Sequence, residues 1–180
     1  MPLADPLEEA TRRVRNGEVA AFQTIVDATS TALVRMAARM LGSVADAEDV
    51  VQEAYMKAYQ SLAEGRFDGR SGVATWLYRI VANASLDALR GRARRPVSSD
   101  LRTDASLDGA AFAEARVSLA ELSDWLDGLP PPERAAVVLK AIEGLSCPEV
   151  AAILGCSEGA VEQRLVRARA TLRKRSGSHD

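Results

Sequence analysis

Ala151, Gly155 and Val161 carry the most specific functional spacing in the chain. A helix-turn-helix needs a small residue where its helices cross and a glycine able to turn left-handed between them. It also needs an apolar residue on the second helix facing the first. These three residues have that order, and Val150, Leu154 and Leu165 complete a small core. The second helix then carries Gln163, Val166 and Arg167 on its outer side. Its N-terminal half can enter a major groove, and its basic end can approach phosphates. The same pattern also allows a helical hairpin with a charged, solvated last turn.

Other charges cluster as well. Arg90, Arg92, Arg94 and Arg95 crowd one stretch, and Arg164, Arg167, Arg169, Arg173, Lys174 and Arg175 crowd another. Such local footprints bear on DNA binding more than the net charge of −2 does. Asp46, Glu48, Asp49 and Glu53 form an acidic stretch. Asp49 and Glu53 are four residues apart and share a helix face, with Gln52 beside them. That patch suits arginines on a partner, or simply faces solvent.

Catalytic and cofactor chemistry find little support. Residues 64–72 carry three glycines, but no Lys-Ser/Thr follows them and no strand precedes them, so no phosphate loop is expected. The one histidine, His179, is terminal, which leaves no nucleophile–base–acid set. Cys147 and Cys156 fit no zinc spacing. They are expected to be reduced, small core or turn residues, with a redox switch as the alternative. No metal, cofactor or enzymatic activity is expected.

The elements that must position these residues are helices. Of the 180 residues 47% are hydrophobic and only 4% aromatic, and alanine, leucine and arginine favour helix. Residues 5–42 read as a short and a long helix broken at Asn16-Gly17, with Val19, Phe22, Val26, Leu33 and Met36 on the apolar face of the second. Ser43 and Asp46 resemble a capping box opening a helix to Leu62, whose apolar face includes Val51, Ala54, Met56 and Ala58. The loop at 64–72 precedes a helix over 73–92, with Trp76, Leu77, Ile80 and Val81 in its stripe. After Pro96 the composition shifts to Pro, Ser, Asp, Gly and Thr. Further helices are expected from Ser118 to Asp127, from Pro132 to Gly144, from Ser146 to Leu154 and from Ser157 to Lys174. The fold class is therefore all-α: two small helical domains joined by a flexible linker, the C-terminal one containing the helix-turn-helix. The boundaries are 1–95, 96–116 and 117–175, with weak or partner-dependent packing between the domains. With no signal peptide and no long apolar run, a soluble, cytoplasmic protein without membrane insertion is expected.

Three motifs in order resemble one family. Asp46-Ala-Glu-Asp-Val-Val-Gln-Glu53 resembles the signature helix of sigma-factor region 2. Thr75-Trp-Leu-Tyr-Arg-Ile-Val-Ala-Asn83 resembles its promoter-melting part, and Leu129-Pro-Pro-Pro-Glu-Arg through Leu172 resembles region 4. The length and the lack of other regions match the extracytoplasmic-function group. The resemblance implies a partner, core RNA polymerase, docking on Asp49, Gln52 and Glu53. It implies a second, promoter DNA, whose unstacked −10 base enters a pocket at Phe67 and Asn83. An aromatic face and an amide suit such a base. In the alternative, Phe67 plugs the core and Asn83 caps a backbone group.

By the same resemblance Arg90, Arg92, Arg94 and Arg95 face the promoter backbone, and Glu162, Gln163, Val166 and Arg167 read the −35 element. Glu162 departs from the family, which often carries a basic residue there. A carboxylate repels phosphate but can accept from cytosine N4. The family usually has an anti-sigma factor, so one is expected as a partner. A helix-turn-helix regulator that never touches polymerase, or a sigma-like decoy that does not bind DNA, would share parts of this pattern.

Overall fold

The computed structural model describes residues 5–94 and 125–176, without the side chains of residues 93, 94 and 176. The linker expected at 96–116, Arg95, most of the helix expected from Ser118, and His179 lie outside the described residues. All regular structure among the described residues is helical.

The N-terminal domain is built from four helices. In α1 (Pro6–Arg15) the Asp5 carboxylate accepts from the Leu7 N–H at 3.0 Å, and Pro6 starts the first turn without an orphan donor. Glu8 and Glu9 sit in that turn and three arginines near the end, matching the helix dipole. A 3-10 turn at Val19–Ala21 leads into α2 (Phe22–Leu41). Gly42, at φ +72°, ends α2 in the left-handed conformation. Ser43 then caps α3 (Val44–Ala63), its hydroxyl accepting from the Asp46 N–H at 3.3 Å. The Asp46 carboxylate does not close a capping box but pairs with Arg92 on α4 (Val73–Arg94).

Ile25, Leu33, Met36 and Met40 of α2 meet Val51 and Leu62 of α3 and Leu77 and Val81 of α4 in the core. Burying each large side chain stabilises the fold by about 1.5–3 kcal/mol. Ala47, Ala54 and Ala58 keep the buried face of α3 thin, so its backbone can approach α2 closely. Tyr55 and Thr29 tie the same pair by a 2.7 Å hydroxyl–hydroxyl hydrogen bond.

The C-terminal domain contains α5 (Pro131–Val137), α6 (Cys147–Leu154) and α7 (Glu158–Ser176). The expected continuous helix to Gly144 instead widens at Val138–Ile142 into a π turn, where the Glu143 N–H reaches the Val138 carbonyl at 2.9 Å. The extra residue rotates the chain beyond it by about 100° around the axis. Ser146 and Glu149 form a complete capping box on α6, which holds the Glu149 carboxyl below its ordinary range. Gly155 ends α6 at φ +61°. Leu126, Leu129, Leu139, Val150, Ile153, Val161 and Ala168 are buried here, in one apolar core continuous with that of the N-terminal domain.

The two domains make direct contacts with each other across α2, α4 and the C-terminal helices. Arg39 on α2 pairs with Glu143 at 2.6 Å, and both side chains are largely buried. Arg134, 4% exposed, donates to the Arg39 carbonyl from Nε and Nη2 at 3.3 and 3.2 Å and pairs with Asp127 at 2.6 Å. Asn83 Nδ2 on α4 donates to the Ile153 carbonyl of α6 at 3.2 Å. Both accepting carbonyls lie in the last turn of a helix, where no intrahelical partner exists and partial negative charge collects. The packing thus satisfies groups that each domain alone would leave to water.

Candidate nucleic-acid and partner interfaces

The acidic face of α3 is open. Asp49, Gln52 and Glu53 are all exposed, and the 3.6 Å Glu53–Lys57 pair is itself two-thirds exposed, so it holds the carboxylate only loosely. Beside this face runs an apolar groove of about 740 Å³ between α2 and α3, lined in part by Phe22, Val51, Tyr55 and Tyr59. Val19 and Met56, expected in the core, are instead 63% and 57% exposed beside it. Helical periodicity marks both as apolar but cannot tell a buried face from the lip of a groove. Phe22 packs edge-on to Tyr55 and Tyr59, with centroids 6.0 and 5.4 Å away, and stiffens the floor.

The residues matched to the −10 pocket are engaged within the chain. Phe67 is 7% exposed, its ring centroid 4.7 Å from that of Trp76 with the planes 44° apart. Trp76, half-buried, has the packing role expected for it. Gly65 and Gly69 flank Phe67 at φ +69° and +68°, a turn that side-chain-bearing residues rarely adopt. On its other side Phe67 borders a cavity of about 760 Å³ that Thr11, Arg15 and Arg70 also line. Asn83 does not line that cavity; its amide is turned to α6. The structure therefore holds the arrangement of the alternative reading, with Phe67 packed in the domain and Asn83 bonded to a backbone carbonyl.

The arginines on α4 are also occupied. Arg92 donates to the Leu41 carbonyl at 3.1 Å as well as pairing with Asp46, and so caps the C-terminus of α2. Arg90 lies 3.3 Å from Asp87 in an exposed pair. The side chains of Arg94 and Arg95 lie outside the described residues.

The outer face of α7 differs. Val161 and Ala168 are buried, while Glu162, Gln163, Val166 and Arg167 project outward. Val166 is 64% exposed, an apolar side chain open enough for contact with a thymine methyl. Arg164 instead turns inward and lies 3.4 Å from the Cys156 sulfur. Cys147 and Cys156 are both free and half-buried. No sequence signal pointed to Arg39 or Glu143, and Arg134 entered only as the end of the Leu129–Arg134 motif, with no sign that it joins the domains. A buried arginine contradicts the usual exposure of that residue, and Arg39 and Glu143 are 104 positions apart. Burial, and then the Glu143 carboxylate, push the nearby Tyr78 phenol up. Among the described residues no His/Cys/Asp/Glu group could hold a metal, and no helix is long and apolar enough to cross a membrane.

Residues 25–95 match the model of sigma-70 region 2, and residues 119–172 that of sigma-70 region 4. The chain is 34% identical to the ECF RNA polymerase sigma factor SigW of Bacillus subtilis over 186 residues, which span 93% of this chain and 95% of the relative. Among solved structures it resembles CnrH in complex with the cytosolic domain of CnrY, with a TM-score of 0.69 at 30% identity over 98% of this chain and 100% of that one. It also resembles the sigma factor RpoE in complex with the anti-sigma factor NepR from Bartonella quintana, with a TM-score of 0.65 at 26% identity over 87% and 96% of the two chains.

Proposed function

The chain belongs to the extracytoplasmic-function sigma factors, which bind core RNA polymerase and direct promoter-specific initiation, and from that premise we propose how its residues divide the work. The observation that carries the proposal is the pair of unoccupied faces on separate domains: the acidic side of α3 and the outer side of α7. Asp49, Gln52 and Glu53 receive basic helices of core polymerase, and the apolar groove beside them takes those helices' apolar side chains. Gln163, Val166 and Arg167 read the −35 element, and Glu162 sets a base preference by accepting from an exposed amino group.

Phe67 and Asn83 take a non-template −10 base once Asn83 is released from Ile153, while Arg90, Arg92, Arg94 and Arg95 face the backbone just upstream. Stacking on an aromatic supplies on the order of 1–3 kcal/mol per base, comparable with the cost of extruding one. No step needs a cofactor, because strand opening here is binding energy and not covalent chemistry. The protein acts in the cytoplasm, where polymerase is. An anti-sigma factor is a further partner, by extension from the RpoE–NepR complex.

The test is transcription in vitro with core polymerase and a genomic promoter library. Wild-type protein should recover a defined promoter set. An Asp49→Lys, Glu53→Lys double variant should keep its helix content and bind core at least tenfold more weakly. Unchanged core affinity would remove α3 from the docking surface.

A further inference from the structure

The charges of α7 are sorted along its length. Its acidic residues, Glu158 and Glu162, both fall in the first half. Arg167, Arg169, Arg173, Lys174 and Arg175 follow them. Arg164, the nearest cation in sequence to the acidic pair, is turned inward to the Cys156 sulfur. Glu158, Glu162 and Val166 are spaced four residues apart, so they form one stripe, and all three are exposed. Neither carboxylate has an ion-pair partner among the described residues. Gly159 lies beside the stripe in the first turn, where an added Cβ would meet nothing within 4 Å. A glycine there costs helix propensity but keeps this end slim, so that its backbone can come close to base edges.

This order decides where each end can sit on a duplex. A carboxylate against the groove wall is repelled by phosphates, whereas the basic end is drawn to them. At the groove floor a carboxylate meets base edges instead. Guanine N7 and O6 and thymine O4 are acceptors there and repel it, while cytosine N4 has a hydrogen left over from base pairing to donate. Adenine N6 also donates, but its neighbour N7 is an acceptor facing the second carboxylate oxygen, so cytosine is the better match. Four residues of helix rise about 6 Å, close to the roughly 6.8 Å of two base-pair steps. We infer that Glu158 is a second specificity residue beside Glu162, and that the pair requires two cytosines, on either strand, two base-pair steps apart in the −35 element. This rests on the assignment of α7 to −35 reading made above. The carboxylates act largely by rejection: a guanine or thymine at either position leaves a desolvated charge against an acceptor.

The experiment uses holoenzyme formed with wild type, Glu158→Gln, Glu162→Gln and the double variant. A promoter recovered in the library experiment is randomised across its −35 element and subjected to binding selection. Wild type should enrich cytosine at two positions two steps apart. Glu158→Gln should lose that preference about fivefold or more at one position and Glu162→Gln at the other, and the double variant should lose both. N4-methylcytosine puts a methyl group where the free amino hydrogen was. At one of the two positions it should weaken wild type about fivefold or more and leave the matching Gln variant within about twofold. Circular dichroism checks that helix content is kept. Glu158 also complements the dipole at the start of α7. Were that its whole role, Glu158→Gln would change affinity equally for every sequence, and the inference would be overturned. Enrichment of a −35 sequence without the cytosine pair would overturn it too and leave the reading by α7 standing. Enrichment of no −35 sequence by wild type would remove α7 from −35 reading, and this inference with it.

Discussion

The two faces assigned to DNA are in opposite states. On α7, Glu162, Gln163, Val166 and Arg167 are exposed and ready to meet a groove. Across the loop and α4, Phe67 is packed on Trp76, Asn83 holds a carbonyl of α6, and Arg92 caps α2. The proposed tasks account for the difference. A helix that reads duplex DNA can be prebuilt, because the groove comes to it already formed. A site for an unstacked base is useful only once the strands separate, and an open aromatic slot would meanwhile expose apolar surface to water. One face is open in the structure, and the residues of the other are engaged within the chain.

The largest effect that would break this comparison is expected at Arg134, on which the C-terminal domain and the closed interface both depend. Arg134→Ala removes a buried guanidinium, leaves the Arg39 carbonyl short of donors and frees Asp127, which is already half exposed. We expect a loss of about 2–3 kcal/mol. That corresponds to a fall in Tm of roughly 5–10 °C for a chain of this size by thermal denaturation. Arg134→Lys should recover only part, because a point charge cannot reproduce the planar fork. A Tm within about 1 °C of wild type in Arg134→Ala would show that the buried cluster contributes little.

A smaller effect sharpens the α7 side. Glu162→Lys should raise overall promoter affinity and shift the preferred −35 base, since one base contact is worth about 1–3 kcal/mol. Binding selection at two salt concentrations separates the outcomes. An equal gain for every sequence, with a salt slope steeper by about one, would mean that Glu162 only repels phosphate.

Much of this is legible in the sequence alone. The order Ala151, Gly155, Val161 predicts the helix-turn-helix because each position has one steric task, and the left-handed Gly155 fulfils it. The Ser146–Glu149 box is equally local. Two kinds of feature escape. Val19 and Met56 read as core because periodicity reports a face and not what covers it. The interdomain contact escapes because Asn83 and Ile153 are 70 positions apart, and a hydrogen bond to a backbone carbonyl leaves no mark on the identity of the accepting residue. The π turn has no local signature in Val138–Ile142, yet it sets the direction from which Glu143 meets Arg39.

On the proposed function Phe67 and Asn83 open the −10 element. The most direct test compares Phe67→Ala and Asn83→Ala holoenzymes with wild type at a recovered promoter, scoring closed-complex binding by footprinting and strand opening by permanganate reactivity of the −10 thymines. Initial binding rests on phosphate contacts and α7, so it should persist within about threefold. Thymine reactivity should fall at least tenfold, in keeping with the loss of on the order of 1–3 kcal/mol of base stacking for the Phe67 variant. Normal reactivity in both variants would contradict the account and leave Phe67 and Asn83 as framework residues alone.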